Sequence, residues 1–370
     1  MEEEVLHQIA LSLTPGIGSV LARQLISYCG SAKAIFNAPR RKLVKIPGIG
    51  EKTADTLLAR TGFSVADYVL DQSVKQEVKV LFYTHKDYPA RLKNLPDSPM
   101  LLYYKGKADL NAEKIVAVVG TRNATAYGKK ITEEIIEGLS SHPNLLVVSG
   151  LAYGIDIVAH KAAVRHQIST VGVLGSGIDV IYPAAHKNTV AHMLSNGGIL
   201  TEYPFGIQPD APHFPARNRI VAGMADVTLV VEAAIKGGAL ITAQIANGYN
   251  RDVMAVPGSL DQTYSAGCNR LIRNHQAHIY TSLHDLEYLM NWSEEARARK
   301  PAPVSDWSAN PDLSEAEKSI LNLLKTRQEM LMDDLSWQAQ IPINQLASLL
   351  LTLELQGLIK SLPGKKFALA

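Results

Sequence analysis

The sequence has few of the features that mark secreted, membrane-bound or strongly charged proteins. Its 370 residues include two cysteines, Cys29 and Cys268, which are too few for a disulfide framework. The first residues, MEEEVLHQIALSL, are acidic, whereas a secretory signal would be basic there. No apolar run approaches the roughly 18 residues that a membrane span needs, so we expect a cytoplasmic protein without a membrane segment.

An excess of charge is also missing, because 37 lysines and arginines are balanced by 35 acidic residues and leave a net charge of +2. Any affinity for nucleic acid must therefore come from a local patch and not from the charge of the whole chain. Hydrophobic residues make up 46% of the chain, and its length exceeds one ordinary core. Two or three domains are expected.

The middle of the chain alternates between short apolar runs and helical patterns. The runs are IVAVVG, LLVVSG, TVGVLGSG, ILTEY, VTLVVEA and DVMAVPG. Continuous apolar strands separated by helices indicate a parallel sheet covered on both faces. The sequence therefore predicts an α/β fold with a doubly wound, Rossmann-like parallel sheet over about residues 75–292, extended by two further strands within residues 79–107.

Residues 1–70 are predicted to form a helix-hairpin-helix domain, because a Pro-Gly-Ile-Gly turn occurs twice, at residues 15–18 and 47–50. Glycines allow a tight hairpin that presents backbone amides at a helix N-terminus, where an anion is favoured. Such hairpins bind a nucleic-acid backbone in some proteins and are purely structural in others, and the sequence supports both readings. More lysine and arginine surround the second copy, so we expect any phosphate contact there first.

After Trp292 the composition becomes polar and proline-containing, which indicates a linker over residues 293–312. Residues 313–370 follow the pattern of a winged-helix domain that ends in a Pro-Gly hairpin. Its third helix lacks lysine and arginine, whereas duplex readout relies on cations for phosphate contact. We therefore favour a protein-binding or weakly DNA-binding module. The polar residues that this helix presents are Asn344, Gln345, Ser348, Thr352 and Glu354.

The most informative stretch is HFPARNRIVAGMAD, residues 213–226, which places an aromatic ring and two arginines at the entrance to a helix. Loops at the carboxyl ends of strands line the ligand crevice of an open α/β sheet, and this loop follows the strand ILTEY. Phe214, Arg217 and Arg219 therefore indicate a site for phosphate and base. The alternative is that Phe214 is a core residue and that the arginines lie on the surface or pair with Glu202 and Glu232.

Glycine-containing turns at the ends of other strands are predicted to converge on the same crevice. The turn after IVAVVG presents Arg122, whose permanent charge suits a phosphate. The turn after LLVVSG presents backbone N–H groups, which also favour an anion. Spacing allows a hydrogen bond between Asp156 and His160 on the following helix, which we interpret as structural and not catalytic. The other residues presented by this turn are Ser149, Gly150 and Gly154.

Dinucleotide oxidoreduction and ATP hydrolysis do not fit these turns. The run Gly175-Ser176-Gly177 would need glycine or alanine at position 180, which is Val180. The strand LLVVSG ends in Ser149 and Gly150, where a ribose-binding acid would be expected. No G-x-x-x-x-G-K-[ST] loop occurs in the sequence. We therefore expect no cofactor and no metal.

The motifs described so far carry a resemblance to a known family. In order, they are GTRN, SGLAYGIDIVAH, VLGSGIDVIYP, FPARNRI, VVEA with GGALITA, AVPG and AGCNRLI. Together they resemble the DNA processing protein A family, DprA or Smf, over the whole Rossmann-like domain and its extension. The resemblance implies a homodimer without catalytic activity that binds and protects single-stranded DNA. It also implies that the protein loads the RecA recombinase in natural transformation and DNA recombination.

The resemblance also implies which residues contact DNA. They are Arg122 in GTRN and Phe214, Arg217 and Asn218 in FPARNR, with Gly150 and Gly154 shaping the floor. A segment that the family usually fills with serines is Lys236-Gly237-Gly238-Ala239 here, so a phosphate contact must come from backbone amides or from Lys236. With the residues named above, the candidate DNA-binding set is Arg122, Ser149, Gly150, Gly154, Phe214, Arg217, Asn218, Arg219, Lys236 and Gly238.

The run AGCNRLIRNHQAHIYTSLHDLEYLM holds more apolar residues than the edge of a sheet requires. We therefore predict that Leu271, Ile272 and Ile279 form an interface for the homodimer and the recombinase. Core packing of a last helix explains the same pattern, because helical spacing does not distinguish an inner face from an interface.

One enzyme alternative shares this kind of sheet. Nucleotide phosphoribohydrolases that resemble lysine decarboxylases carry the signature P-G-G-x-G-T-x-x-E, whose glutamate supplies the catalytic carboxylate. Aligned on Gly237 and Gly238, this chain has Leu240, Ile241 and Gln244 where glycine, threonine and glutamate would stand. A neutral amide cannot do the electrostatic work of a carboxylate, so this hydrolase is the second hypothesis.

Overall fold

The computed structural model of the protein describes residues 2–293, 313–327, 329–362 and 366–369. The chain divides into two compact units, Met1–Leu286 and Glu287–Ala370. Within the described residues, no helix is long and apolar enough to cross a membrane.

The larger unit begins with helices and continues as alternating strands and helices. Its helices are α1 (Glu2–Leu13), α2 (Ser19–Cys29), α3 (Ala32–Phe36), α4 (Arg40–Leu43), α5 (Glu51–Leu58), α6 (Phe63–Lys75), α7 (Ala90–Lys93), α8 (Ala126–Leu139), α9 (Ile155–Arg165), α10 (Lys187–Met193), α11 (His213–Met224), α12 (Gly238–Gly248) and α13 (Ala266–Arg273). A further helix, α14 (Leu283–Leu289), spans the boundary between the two units. The strands of the larger unit are β1 (Lys79–Phe82), β2 (Leu101–Gly106), β3 (Lys114–Val119), β4 (Leu145–Ser149), β5 (Ser169–Val173), β6 (Gly198–Thr201), β7 (Val227–Val230), β8 (Asp252–Ala255) and β9 (His278–Ile279).

These nine strands form one sheet in the order β1-β2-β6-β5-β4-β3-β7-β8-β9. Strands β3 to β9 pair in parallel, and β1 and β2 add an antiparallel extension beside β6. The chain winds outward from β3 to β6 and then, through α11, from β7 to β9 on the other side. The predicted doubly wound α/β fold is therefore confirmed, with the extension joined to the same sheet.

The apolar runs of the sequence become the buried centre of this sheet. Every residue of β3, β4, β6 and β7 is buried. One apolar cluster holds residues of α11 and α12, such as Ile220 and Ala243, and another holds residues of α9 and α10, such as Ile157 and Met193. Covering helices on both faces explain why these strands lack the polar alternation of a half-exposed sheet.

The N-terminal helices share a core with the sheet. Ile9 and Leu25 belong to the same apolar cluster as Phe82 of β1 and Tyr103 of β2, and α1 contacts both strands. Residues 1–70 therefore pack against the sheet extension within the larger unit.

The two Pro-Gly-Ile-Gly turns fold alike, which confirms the predicted tandem of hairpins. Gly16 and Gly48 have φ values of +79° and +77°, a region that only glycine enters easily. Glu51 occupies the first turn of α5, whereas α2 has no acidic residue there. A carboxylate at a helix N-terminus competes with a phosphate, which weakens the expectation that the second hairpin is the one that binds.

The smaller unit has the order of elements that a winged helix requires, which confirms that prediction. It consists of α15 (Glu315–Arg327), β10 (Glu329–Leu331), α16 (Met332–Ala339), α17 (Ile343–Leu355), β11 (Ile359–Leu362) and β12 (Lys366–Leu369). Ile320, Leu335 and Leu350 lie in its own apolar core. Apart from residue 293, the predicted linker lies outside the described residues, as does the predicted turn at residues 363–364.

A largely buried ion pair ties the extension to the sheet. Arg91 of α7 donates from Nε and Nη2 to the carboxylate oxygens of Asp226, at 2.7 and 2.9 Å. The backbone N–H of Ile115 in β3 donates to the same carboxylate at 2.8 Å. One side chain therefore satisfies three donors from two separate parts of the fold.

We expect Asp226→Ala to lower the free energy of unfolding by about 2–4 kcal/mol, because Arg91 and the Ile115 amide lose their acceptor in a poorly hydrated position. Urea unfolding of the full chain measures the change. Asp71→Ala is the control, since it removes only exposed contacts, the ion pair with Lys75 and a hydrogen bond from Gln72 Nε2, and should have little effect. Equal losses in the two variants would contradict this account.

Candidate nucleic-acid interface

A cleft with a volume of about 780 Å³ opens at the carboxyl ends of the parallel strands. Its walls are the loop after β3, the loop after β4, the first turns of α11, and the segment between β7 and α12. Strands β3 and β7 are neighbours whose following connections run in opposite directions along the sheet. This switch point is where open α/β sheets bind their ligands.

The cleft brings together seven of the ten residues predicted to bind DNA. Those that line it are Arg122, Gly150, Phe214, Arg217, Asn218, Lys236 and Gly238. The other three, Ser149, Gly154 and Arg219, do not line it.

Arg122 and Lys236 supply the exposed positive charge of the cleft. Both side chains are exposed, and neither makes an ion pair within the described residues. The guanidinium carbon of Arg122 lies 5.5 Å from the centre of the Phe214 ring, a cation–π contact that leaves its N–H groups free for a phosphate. A permanent charge and an aromatic ring therefore meet at one point of the wall.

Arg217 lines the floor of the cleft with a buried side chain. It is buried and donates from Nη1 to the carbonyl oxygens of Gly150 and Val173, at the ends of β4 and β5. Burial lowers the pKa of Arg217 to about 10, although nearby Asp156 raises it. Arg217 therefore has a structural role in the floor, because Nη1 donates to backbone oxygens and Nε donates to Asn218 Oδ1 at 3.2 Å. Its contact with a phosphate stays a prediction.

Asp156 completes the floor beside Arg217. It accepts the backbone N–H groups of Gly150 and Ala152 at 3.2 and 3.3 Å. Burial raises the pKa of the Asp156 carboxyl, and Arg217 acts in the opposite direction. Within the cleft lining, Asp156 is the only acidic residue, and its side chain is committed to the floor.

Two predicted contacts are wrong because their side chains are already engaged. Ser149 is fully buried, and its Oγ donates to the carbonyl oxygen of Val118 at 2.6 Å. Arg219 makes an ion pair with Glu202 at 2.5 Å, which is the alternative considered from the sequence. Helical spacing explains the second error, since Arg217 and Arg219 project to different sides of α11.

Gly154 acts on the cleft indirectly. Its φ of +78° and the 2.1 Å that would separate a Cβ from the carbonyl oxygen of Thr121 exclude any other residue without rearrangement. Absence of a side chain lets the start of α9 approach the loop that carries Arg122. The predicted hydrogen bond between Asp156 and His160 is not formed, because His160 Nδ1 lies 2.7 Å from Thr170 Oγ1 instead.

Three tyrosines that were not predicted from the sequence also line the site. Tyr153 and Tyr182 lie in a recess next to Arg122 and Phe214, and Tyr264 lines the main cleft. Tyr153 and Tyr182 belong to the glycine-containing motifs SGLAYGID and GIDVIYP. An aromatic residue shortly after a strand-end glycine was the available signal.

The three residues predicted to form an interface separate in the structure. Leu271 is a buried core residue, so its predicted place at an interface is wrong, and Ile272 packs against the same core. Ile279 is 47% exposed and lies in β9, at the end of the sheet.

The enzyme alternative gains no support from this geometry. Gln244, which stands where the hydrolases carry glutamate, is exposed on α12 and does not line the cleft. Within the part of the chain that the structure describes, no group of three or more His, Cys, Asp or Glu residues could hold a metal ion.

Comparison with known proteins agrees with the fold and the motifs. The family model of DNA recombination-mediator protein A matches residues 79–291, which is more than half of the chain. The chain belongs to this family. On either side of the family match, a SAM-like helix-hairpin-helix tandem matches residues 9–61 and the DprA winged helix domain matches residues 301–365.

Relatives in the DNA recombination-mediator protein A family cover between about half and nearly all of this chain. Protein Smf of Synechocystis is 30% identical over 98% of both chains, and the DNA processing protein DprA of Streptococcus pneumoniae is 44% identical over 54% of this chain and 70% of its own. The crystal structure of the Streptococcus pneumoniae protein has a TM-score of 0.67 at 34% identity, covering 76% of this chain and 97% of that one.

A second solved structure is DNA processing protein A from Helicobacter pylori. It has a TM-score of 0.52 at 28% identity and covers 58% of this chain and 95% of that one. That structure concerns the single-stranded DNA binding mode of the Helicobacter protein.

We expect Arg217→Met to lower the free energy of unfolding by about 3 kcal/mol, because it leaves two carbonyl oxygens and Asp156 without their buried donor and cation. Arg122→Ala is the matched control, since Arg122 is exposed and should leave stability nearly unchanged. Urea unfolding of both variants separates the two arginines. Equal stability of Arg217→Met and the parent chain would show that the floor does not depend on this guanidinium.

Proposed function

We propose that the cleft binds single-stranded DNA through its phosphates and bases, with little sequence preference. The observation that carries the proposal is the junction of free cations and aromatic rings in one cleft. Arg122 and Lys236 are exposed and unpaired within the described residues, and Phe214 lies beside Arg122. Cations that follow a backbone and rings on which bases stack are the two elements of non-specific single-strand binding.

The segment before α12 supports a phosphate contact. Gly237 and Gly238 are exposed at the N-terminus of this 11-residue helix, directly after Lys236. Backbone amides at a helix N-terminus favour an anion, and the lysine adds a full charge. Asn218 lies close by, and its Nδ2 donates to the carbonyl oxygen of Gly238 at 3.4 Å. Asn218 therefore orients this segment or contacts the single-stranded DNA directly.

We also propose that the cleft has no catalytic role. The acidic residue of the cleft lining, Asp156, is buried and hydrogen-bonded to the floor. A general base must reach the proton that it removes, and this carboxylate is committed elsewhere. Support from relatives points the same way, because they are named for DNA processing and the Helicobacter protein has a single-stranded DNA binding mode.

We expect the full chain to bind a labelled oligothymidine more tightly than the corresponding duplex, because duplex bases are not available for stacking. Fluorescence anisotropy at two salt concentrations tests this. Arg122→Ala should weaken binding and reduce the salt slope, whereas Phe214→Ala should cost about 1–3 kcal/mol with the slope nearly unchanged. Arg165→Ala is the control, because Arg165 lies at the C-terminal end of α9, whereas the N-terminal end of α9 meets the cleft, and Arg165 does not line it. Equal affinity for duplex, or no response to Arg122→Ala, would contradict the proposal.

We further propose that two copies pair at the β9 edge and that the dimer protects incoming DNA and loads RecA during transformation and recombination. An exposed strand edge offers unpaired backbone groups to another chain, and Ile279 supplies apolar surface there. Two clefts in one assembly raise the effective concentration of DNA at each site, which helps when a single site is electrostatic. The recombinase role rests on the family resemblance.

Ile279→Asp should convert the dimer to a monomer, because a charge would be buried at an apolar contact. Light scattering at micromolar concentration measures the mass, and a pull-down with RecA measures recruitment. Val74→Asp, at an exposed apolar position on α6, should leave both results unchanged. A monomeric parent chain, or RecA capture that is indifferent to Ile279→Asp, would contradict the dimer or its role while leaving DNA binding intact.

The winged helix supports a protein-binding role more than a DNA-binding one. Its third helix, α17, has no lysine or arginine, and it exposes Leu351 and Leu355. Exposed leucines without nearby cations on this helix suit a protein partner better than a phosphate backbone.

A further inference from the structure

The ring of Phe214 is crowded by its neighbours. The Arg122 guanidinium carbon lies 5.5 Å from its centre, and the Tyr182 ring centre lies 5.7 Å away at an interplanar angle of 35°. On Gly175, a Cβ would come within 3.0 Å of Phe214 Cδ1, so the ring also rests on this glycine. The Phe214 side chain is therefore half-buried, and only part of its ring is open to a nucleobase.

Two tyrosines beside it are much more open. Tyr182 is 47% exposed and Tyr153 is 49% exposed, and both line the recess next to Arg122. Each is held by an inner ring: Phe214 supports Tyr182, and buried His186 supports Tyr153 at a centroid distance of 5.0 Å and an angle of 74°. Packing against an inner ring fixes the orientation of each tyrosine while its outer surface stays free.

No hydrogen bond of a hydroxyl group within the described residues explains why these two tyrosines lie at the surface. Within the described residues, neither the Tyr153 nor the Tyr182 hydroxyl has a hydrogen-bond partner, whereas exposed Tyr127 donates to the carbonyl oxygen of Pro257 at 2.9 Å. Single exposed tyrosines are common on protein surfaces. Two of them in one recess, both buttressed and both beside a free arginine, are the arrangement of a stacking platform.

We propose that Tyr182 and Tyr153 form a second base-stacking surface, on which successive nucleobases of a single strand lie, and that Phe214 mainly supports Tyr182. This inference rests on the proposed function and specifies where the bases go. Arg122 lines both the main cleft and the recess, so a phosphate held there has bases on either side of it. No carboxylate lines the recess, which leaves the path open to a polyanion.

The direct test is the affinity of variants for oligothymidines in fluorescence anisotropy. Tyr182→Ala should weaken binding about 5- to 150-fold with an unchanged salt slope, since a stacked base and not a phosphate loses its partner. Tyr182→Phe should bind like the parent chain, because the ring and not the hydroxyl makes the contact. Tyr288→Ala is the control, since Tyr288 is 79% exposed on α14 and does not line the cleft or the recess.

A spectroscopic variant keeps the test decisive if Tyr182→Ala disturbs the fold. Tyr182→Trp should retain affinity, and its added fluorescence relative to the parent chain should be quenched when oligothymidine binds, because a stacked base lies against the indole. If Arg122→Ala weakens binding, the cleft is the DNA site. Unchanged affinity in Tyr182→Ala, or no quenching in Tyr182→Trp, then overturns the proposal that bases stack on this surface. Failure of the parent chain to bind single strands overturns the proposed function itself.

Discussion

The cleft depends on one buried guanidinium. Arg217 extends from α11 into the floor and donates to the carbonyl oxygens at the ends of β4 and β5, while Asp156 accepts the amides of the turn after β4. A buried cation and a buried carboxylate are costly apart and tolerable together, so neither can be replaced independently. They fix the ends of β4 and β5, from which the loops bearing Tyr153 and Tyr182 leave the sheet.

This arrangement separates the charge that builds the site from the charge that meets a ligand. Arg217 and Arg219 make their contacts within the protein: Arg217 donates to backbone oxygens, and Arg219 forms an ion pair with Glu202. Arg122 and Lys236 stand on loops, where no carboxylate approaches them within the described residues. Aromatic residues are divided in the same way, because Phe214 and His186 lie inside and Tyr182 and Tyr153 lie outside. A rigid inner layer thus orients an outer layer that remains open.

The sequence predicted the parts of the fold that depend on pattern. Apolar runs separated by helices fixed a parallel sheet, and the repeated Pro-Gly-Ile-Gly turn fixed two similar hairpins. Pattern also located the cleft, because glycine turns at strand ends converge there by topology. It could not say which way each side chain on α11 points, so Arg217 and Arg219 were both assigned to DNA. The interface prediction for Leu271 was wrong for a related reason, since helical spacing is the same for an inner face and an interface. The role of Tyr153 and Tyr182 could not be predicted, because the exposure of a side chain depends on neighbours distant in sequence.

The two ends of the sheet differ, and this limits how copies of the chain could assemble. At one end β1 is contacted by α1 and α6, and half of its residues are buried. At the other end both residues of β9 are exposed. Of the two terminal strands, β9 is the more exposed, so a contact between two copies at this strand edge would use the same surface of each copy. Such a two-fold symmetric contact occupies the surface on both copies and leaves none free for a third. Growth would stop at two copies, and the sheet would not seed a fibre.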